Sequence, residues 1–126
     1  MNKGDSLTLR RFLVPVAECE FAINSILDDL QSDPWPVKQA CRPERCVGTA
    51  LNIAISLLEA AGGAGRGSRI INLIGGAATY GPGKIVDDKL SEKIRSHLDI
   101  AKERENARHR KPAMKFYNDC AVRAQK

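Results

Sequence analysis

Residues 70–76 read Ile-Ile-Asn-Leu-Ile-Gly-Gly, and this stretch limits the folds open to the chain more than any other. Four aliphatic residues around one polar one form a near-continuous apolar run. A strand of that kind suits a sheet covered on both faces, because each successive side chain points to the opposite side. Such a sheet needs several strands. Besides this predicted strand, 126 residues offer only an extended entry near Leu9 to Val14. The covering helices are easier to find, so the pattern is helix, helix, strand, helix, a slice of an α/β layered domain. Helices with almost no sheet would leave their apolar faces wet. On this reading the chain is incomplete by itself.

The first helix is predicted in "PVAECEFAINSILDDLQSD", where Phe21, Ile23, Ile26, Leu27 and Leu30 are read as one apolar stripe. Pro34 and Pro36 should stop it and hold "SDPWPVKQACRPERC" extended. Trp35, between those prolines, is either an anchor packed on the domain or an exposed contact residue, and its size favours packing. A second helix is predicted in "VGTALNIAISLLEAA", with Thr49 as its cap and Leu51, Ile55, Leu58, Ala54 and Leu57 on its apolar face. Gly62 or Gly63 should supply a left-handed C-cap. Pro112 should open a last helix carrying Met114, Tyr117, Cys120, Ala121 and Ala124 on one side.

The glycines after the strand suggest a phosphate cradle, and the spacing argues against one. A P-loop needs G-x-x-x-x-G-K-[ST], yet Gly76 and Gly81 are followed by Pro82 where the lysine belongs. Lys84 comes two places late, and Ile85 follows it. The dinucleotide pattern fails as well, with Asp87 beyond Gly81-Pro82-Gly83. Proline also removes one of the N–H groups that grip an anion. The favoured reading is two tight turns, one at Gly75 and Gly76 and one at Gly81-Pro82-Gly83. A nucleotide-binding enzyme fragment using loop 75–83 is the alternative.

No catalytic constellation stands out. Asp28 and Asp29 are adjacent and diverge on a helix. Thr79 and Tyr80 carry hydroxyls with no base fixed beside them by sequence. The cysteines, Cys19, Cys41, Cys46 and Cys120, lack the close pairs of a zinc site, and His97 and His109 do not complete one. Four free thiols in a reducing cytosol are expected, with no metal and no cofactor in this chain. No run of 18 apolar residues spans a membrane, and the start has no secretory core.

Charge is uneven. Residues 1–83 hold eight basic and eight acidic side chains, while residues 84–126 hold twelve and seven, which accounts for the whole net +5. Lys102, Arg104, Arg108, Arg110 and Lys111 could draw nucleic acid or anionic lipid. Because acids interleave with them, a solvated helix face is the preferred reading. Aromatic and basic residues do not alternate as they do where bases stack, so no nucleic-acid partner is expected.

Three stretches together resemble a known family: "DDLQSDPWPV" (28–37), "RPERCVGTALNIAISLLEAA" (42–61) and "RIINLIGGAATYGPG" (69–83), with "KIRSHLDI" and "KFYNDCA" in keeping. They are similar to the trunk domain of the GTPase-activating inner-coat subunit of the COPII vesicle coat, the Sec23 family. The resemblance implies a partial von Willebrand factor A-like trunk, doubly wound, with helices on a mostly missing sheet. Residues 11–126 would form the C-terminal part of that trunk and residues 1–10 an N-terminal tail. Ala77 stands where the family usually has proline.

The family's full subunit pairs with the cargo-binding coat subunit and activates a Sar-family GTPase through an inserted arginine. That arginine comes from a helical domain outside the matched region, as do the family's zinc cysteines. The resemblance therefore implies a coat fragment in endoplasmic-reticulum-to-Golgi transport that acts by protein–protein contact and is not an enzyme. It would sit in the cytoplasm, on the cytosolic face of the endoplasmic reticulum and COPII vesicles, reaching membrane only through the coat. Trp35 and Tyr80 are the candidate partner-contact residues.

Overall fold

The computed structural model describes residues 14–61 and 67–125. The candidate C-caps Gly62 and Gly63, the tail 1–10 and all but the end of the entry 9–14 lie outside the described residues. The chain divides into two compact units, Met1–Pro36 and Val37–Lys126.

The first unit contains helix α1, Val16–Asp28. Pro15 precedes it, its ring holding φ near the helical value while ψ remains extended. The helix ends well before Pro34. Two carboxylates, Asp28 and Asp29, stand at its negative end with no basic residue in the last turn, which disfavours continuation. No residue of α1 is buried; Cys19 is half-buried and Ile23 41% exposed, whereas Phe21 is 88% exposed. Phe21 lies two residues from Ile23, roughly 200° around the helix. It therefore falls off the stripe that the sequence reading gave it. After α1 the Trp35 N–H donates to Asp33 Oδ1 at 3.0 Å, a local turn.

The second unit contains α2 (Val47–Ala60), α3 (His97–Ala101), a 3₁₀ turn (Glu105–Ala107) and α4 (Arg110–Ala124). α2 begins after Cys46 without a side-chain cap, so Thr49 lies inside the helix and not at its end. α4 starts two residues before Pro112, which the first turn tolerates because its N–H has no helical partner there. α3 has only five residues and depends on a capping box. Ser96 Oγ accepts from the Asp99 N–H at 3.1 Å, and the Asp99 carboxylate accepts from the Ser96 N–H at 2.8 Å.

α2 packs against α4, with Ile55 buried on one helix and Ala113 and Cys120 on the other. Arg123 fastens the pair. Its guanidinium donates to Ser56 Oγ at 2.8 Å, to Glu59 Oε2 at 2.6 Å and to Asn52. Asn52, Ser56 and Glu59 fall at i, i+4 and i+7, one face of α2.

The strand predicted at 69–74 is not formed among the described residues. The single β-bridge there joins Cys41 and Lys89, antiparallel. A strand exists only against a partner, and no described segment pairs with 69–74. The two-residue period remains visible all the same. Ile70 and Asn72 face a groove beside α2 and α4, while Ile71 and Leu73 are 85% and 95% exposed.

Candidate functional site

The glycine loop is built as a joint. Thr79, almost fully buried, carries it: its Oγ1 donates to the Pro43 carbonyl at 2.8 Å and accepts from the Arg45 N–H at 2.9 Å. The N–H groups of Thr79 and Tyr80 both donate to the Arg45 carbonyl, at 3.2 and 3.3 Å. Two N–H groups that a phosphate would need are thus already committed to the protein's own backbone. The loop ties residues 43–45 to the chain entering residues 84–86, where Val86 is the most completely buried side chain.

Gly83 in the loop, and Gly48 opposite, are required by close approach. A Cβ on Gly48 would lie 2.0 Å from the Pro82 carbonyl oxygen and 2.8 Å from the Phe116 ring. Gly83 has φ +74°, and a Cβ there would stand 2.7 Å from the Tyr117 ring. The Tyr117 hydroxyl donates to the Gly83 carbonyl at 3.2 Å, and burial raises that hydroxyl above its usual pKa. The turn read at Gly81-Pro82-Gly83 is present, the Lys84 N–H donating to the Gly81 carbonyl at 3.3 Å, whereas at Gly76 the chain only bends. The Gly48–Pro82 contact was out of reach of the sequence reading, because 34 residues separate the partners in the chain.

Residues 84–92 form a second loop, held by arginines. Arg42 donates to the carbonyls of Asp87 at 3.2 Å and Glu92 at 2.6 Å, and also to that of Lys89. The backbone of the same stretch adds Leu90 N–H to the Ala40 carbonyl at 2.9 Å. From the other side Arg108 pairs with Glu92 at 2.5 Å, with Glu105 at 3.2 Å and with Asp87. His109 Nε2 lies 3.0 Å from Asp87 Oδ1. Lys84, and then Arg108, hold the Asp87 carboxyl well below the usual carboxylate range, against the opposing effect of its partial burial.

Asp87, Glu92 and His109 bring three potential ligand atoms within 4.8 Å of one another, a grouping the sequence reading missed. Lys84 and Arg108 already neutralise both carboxylates, so the cluster is an ion-pair network and carries no metal assignment. Among the described residues no such grouping includes a cysteine. Cys19 and Cys41 are half-buried, Cys46 exposed and Cys120 buried, all as free thiols.

Several basic residues of the second half are paired internally. Besides Arg108, Arg104 lies 3.6 Å from Asp99, Lys111 lies 3.2 Å from Glu103, and Arg123 bonds Glu59. Of the two candidate contact residues, Trp35 is 78% exposed in the first unit and Tyr80 is 58% exposed in the second. Trp35 is therefore not the packed anchor that its size favours. An apolar groove of about 560 Å³ lies beside α2 and α4 in the second unit.

Residues 6–126 match the family described as Sec23/Sec24 trunk domain. The chain is also similar to the "Protein transport protein SEC23 F" of Arabidopsis thaliana, 48% identical over 120 residues. That similarity covers 95% of this chain and 15% of the relative, so the chain spans under a sixth of the relative's length.

Proposed function

The chain belongs to the Sec23/Sec24 trunk-domain family, and from that premise we propose that it is a docking piece of a COPII-type vesicle coat in endoplasmic-reticulum-to-Golgi transport. It acts by protein–protein contact and performs no chemistry of its own. Its fold in the assembled state is a von Willebrand factor A-like, doubly wound trunk, of which residues 11–126 form the C-terminal part and residues 1–10 a tail. The candidate partners are the cargo-binding coat subunit and a Sar-family GTPase. The place of action is the cytosolic face of the endoplasmic reticulum and of the vesicles, reached through the coat.

The observation that carries this reading is the family match over nearly the whole chain, on a molecule whose apolar faces are largely unshielded. Val16, Phe21, Leu30, Ile71 and Leu73 are all exposed. Val16, Phe21 and Leu30 lie in the first unit and Ile71 and Leu73 in the second, so each unit offers apolar side chains to a partner. GTPase activation in the family depends on an arginine outside the matched region; of the arginines described here, Arg42 is committed to carbonyls and Arg108 and Arg123 to carboxylates. Zinc in the family is likewise assigned to cysteines outside this match. The scattered thiols of this chain do not form a zinc site among the described residues.

The test is capture from cytosol on the immobilised chain, followed by identification of what is retained. Retention of the cargo-binding subunit or the GTPase, with no acceleration of GTP hydrolysis by the chain alone, is the expected result. Failure to retain either one, or stimulation of hydrolysis, would overturn the reading.

A further inference from the structure

We propose that Arg45, with Tyr80 beside it, forms a contact site that takes one carboxylate side chain of a partner protein. This rests on the docking reading above and names the chemistry of one contact within it.

Arg45 is fixed through both of its backbone groups. Its N–H donates to Thr79 Oγ1 at 2.9 Å, and its carbonyl accepts from the N–H groups of Thr79 and Tyr80. The side chain that leaves this anchored position is half-buried and lies along Gly76. A Cβ on Gly76 would stand 2.9 Å from the guanidinium carbon and 3.0 Å from Nη1, so the arginine takes the space a side chain would fill. The guanidinium nonetheless makes no hydrogen bond or ion pair with any described residue, and its nitrogens are open to solvent. Arg42, Arg104, Arg108 and Arg123 all find acceptors inside the chain. Arg45 is seated without one, and its fork of N–H donors stays unused.

The acceptor that fits is a carboxylate. A guanidinium fork matches two coplanar oxygens, and a side chain already held in place loses less freedom on pairing than a free one. Charge sets the size of the anion. Arg45, Gly76 and Tyr80 all lie within residues 1–83, whose eight basic and eight acidic side chains cancel. The Thr79 and Tyr80 N–H groups, which a phosphate would use, are committed to the Arg45 carbonyl. One guanidinium suits a singly charged carboxylate, whereas phosphate groups and nucleic acid call for several cations. Tyr80, 58% exposed and joined to Arg45 through that backbone bond, supplies an aromatic neighbour. Arginine and tyrosine are enriched among the residues that dominate binding energy at protein interfaces. The partner segment is therefore an acidic residue flanked by apolar ones.

The probe is the capped tripeptide valine-glutamate-leucine, added at up to tens of millimolar to the isotope-labelled full chain while the Arg45 Nε–H and Gly76 N–H resonances are followed. Both should move saturably. The glutamine counterpart and inorganic phosphate should bind at least tenfold more weakly. Arg45→Lys keeps the charge but not the fork. Gly76→Ala keeps the arginine but displaces its guanidinium, a flexible group that swings aside without breaking the backbone. Each variant should abolish saturation by the peptide and lower retention of the cargo-binding coat subunit at least tenfold. Exchange of the Tyr80 N–H reports whether the joint survives in each variant; if Gly76→Ala loses it, Arg45→Lys decides alone. No movement at Arg45, or equal affinity for the glutamine peptide or for phosphate, overturns the carboxylate site. If wild type and both variants retain a coat subunit equally, the carboxylate site falls and the docking function stands. If the peptide binds through Arg45 while no coat protein is retained, the site stands and the coat assignment falls.

Discussion

A single methyl group placed on Gly48 would collide with the Pro82 carbonyl, a backbone atom that cannot rotate away. Gly48→Ala is therefore expected to cost about 3 kcal/mol, at the upper end of what overpacking costs, and denaturant unfolding measures it. At Glu103 the strain runs the other way. Its φ of +47° puts a side chain in the left-handed region just past α3, where glycine is favoured. Glu103→Gly should stabilise by about 0.5–1 kcal/mol, since the exposed Lys111 pair that it forfeits is worth little. Asp87 fixes the acid limb. Its folded pKa lies below the unfolded carboxylate value of about 3.9, so its ionisation supports the fold. That contribution is complete above the unfolded value and is lost as pH falls below it. Asp87→Asn should flatten the stability curve between roughly pH 2 and 5, measured by unfolding at fixed ionic strength.

Among the elements, those held by local contacts and those held by distant ones behave differently. α3 is short but carries its own capping box, which "RSHLD" announces in the sequence through Ser96 and Asp99. Loop 84–92 has no regular structure beyond its bridge, and it depends on Arg42 reaching three carbonyls. Arg42→Met should leave the α2 and α4 amides protected while the N–H of Leu90, bonded to Ala40, exchanges faster. Equal exchange at Leu90 in both proteins would show that the arginine is not what holds the loop. No spacing rule could have identified Arg42, because its acceptors are main-chain oxygens 45 to 50 residues further along. Helix periodicity, in contrast, located α1, α2 and α4. It erred at α1's face, where Phe21 stands opposite Ile23.

On the scale of the whole molecule, the buried hydrophobic core among the described residues consists of Ile55, Ala78, Val86, Ala107, Ala113 and Cys120. Three of these six are alanine, so the apolar area withdrawn from water is small against the chain entropy that folding must offset. The isolated chain is expected to melt broadly and to associate through exposed apolar side chains such as Ile71 and Leu73. A sharp, reversible calorimetric transition of a monomer would contradict this. Leu73→Lys should raise the soluble fraction after heating, because a charge there interrupts the exposed apolar surface.

Local physics determined what was readable along the chain: three helices from their 3.6-residue period, the glycine turn at 81–83, and the two-residue alternation of 69–74. It also excluded the P-loop, since a missing lysine is visible without coordinates. The tertiary structure alone decided that this alternation finds no strand to pair with among the described residues. It alone also decided that Trp35 faces solvent, that Thr79 and Arg42 are the fasteners, and that Asp87, Glu92 and His109 meet. Periodicity is written in neighbours a few residues apart. Pairing, burial and charge networks depend on residues brought together from 16 to 71 positions away, and only the folded chain supplies those.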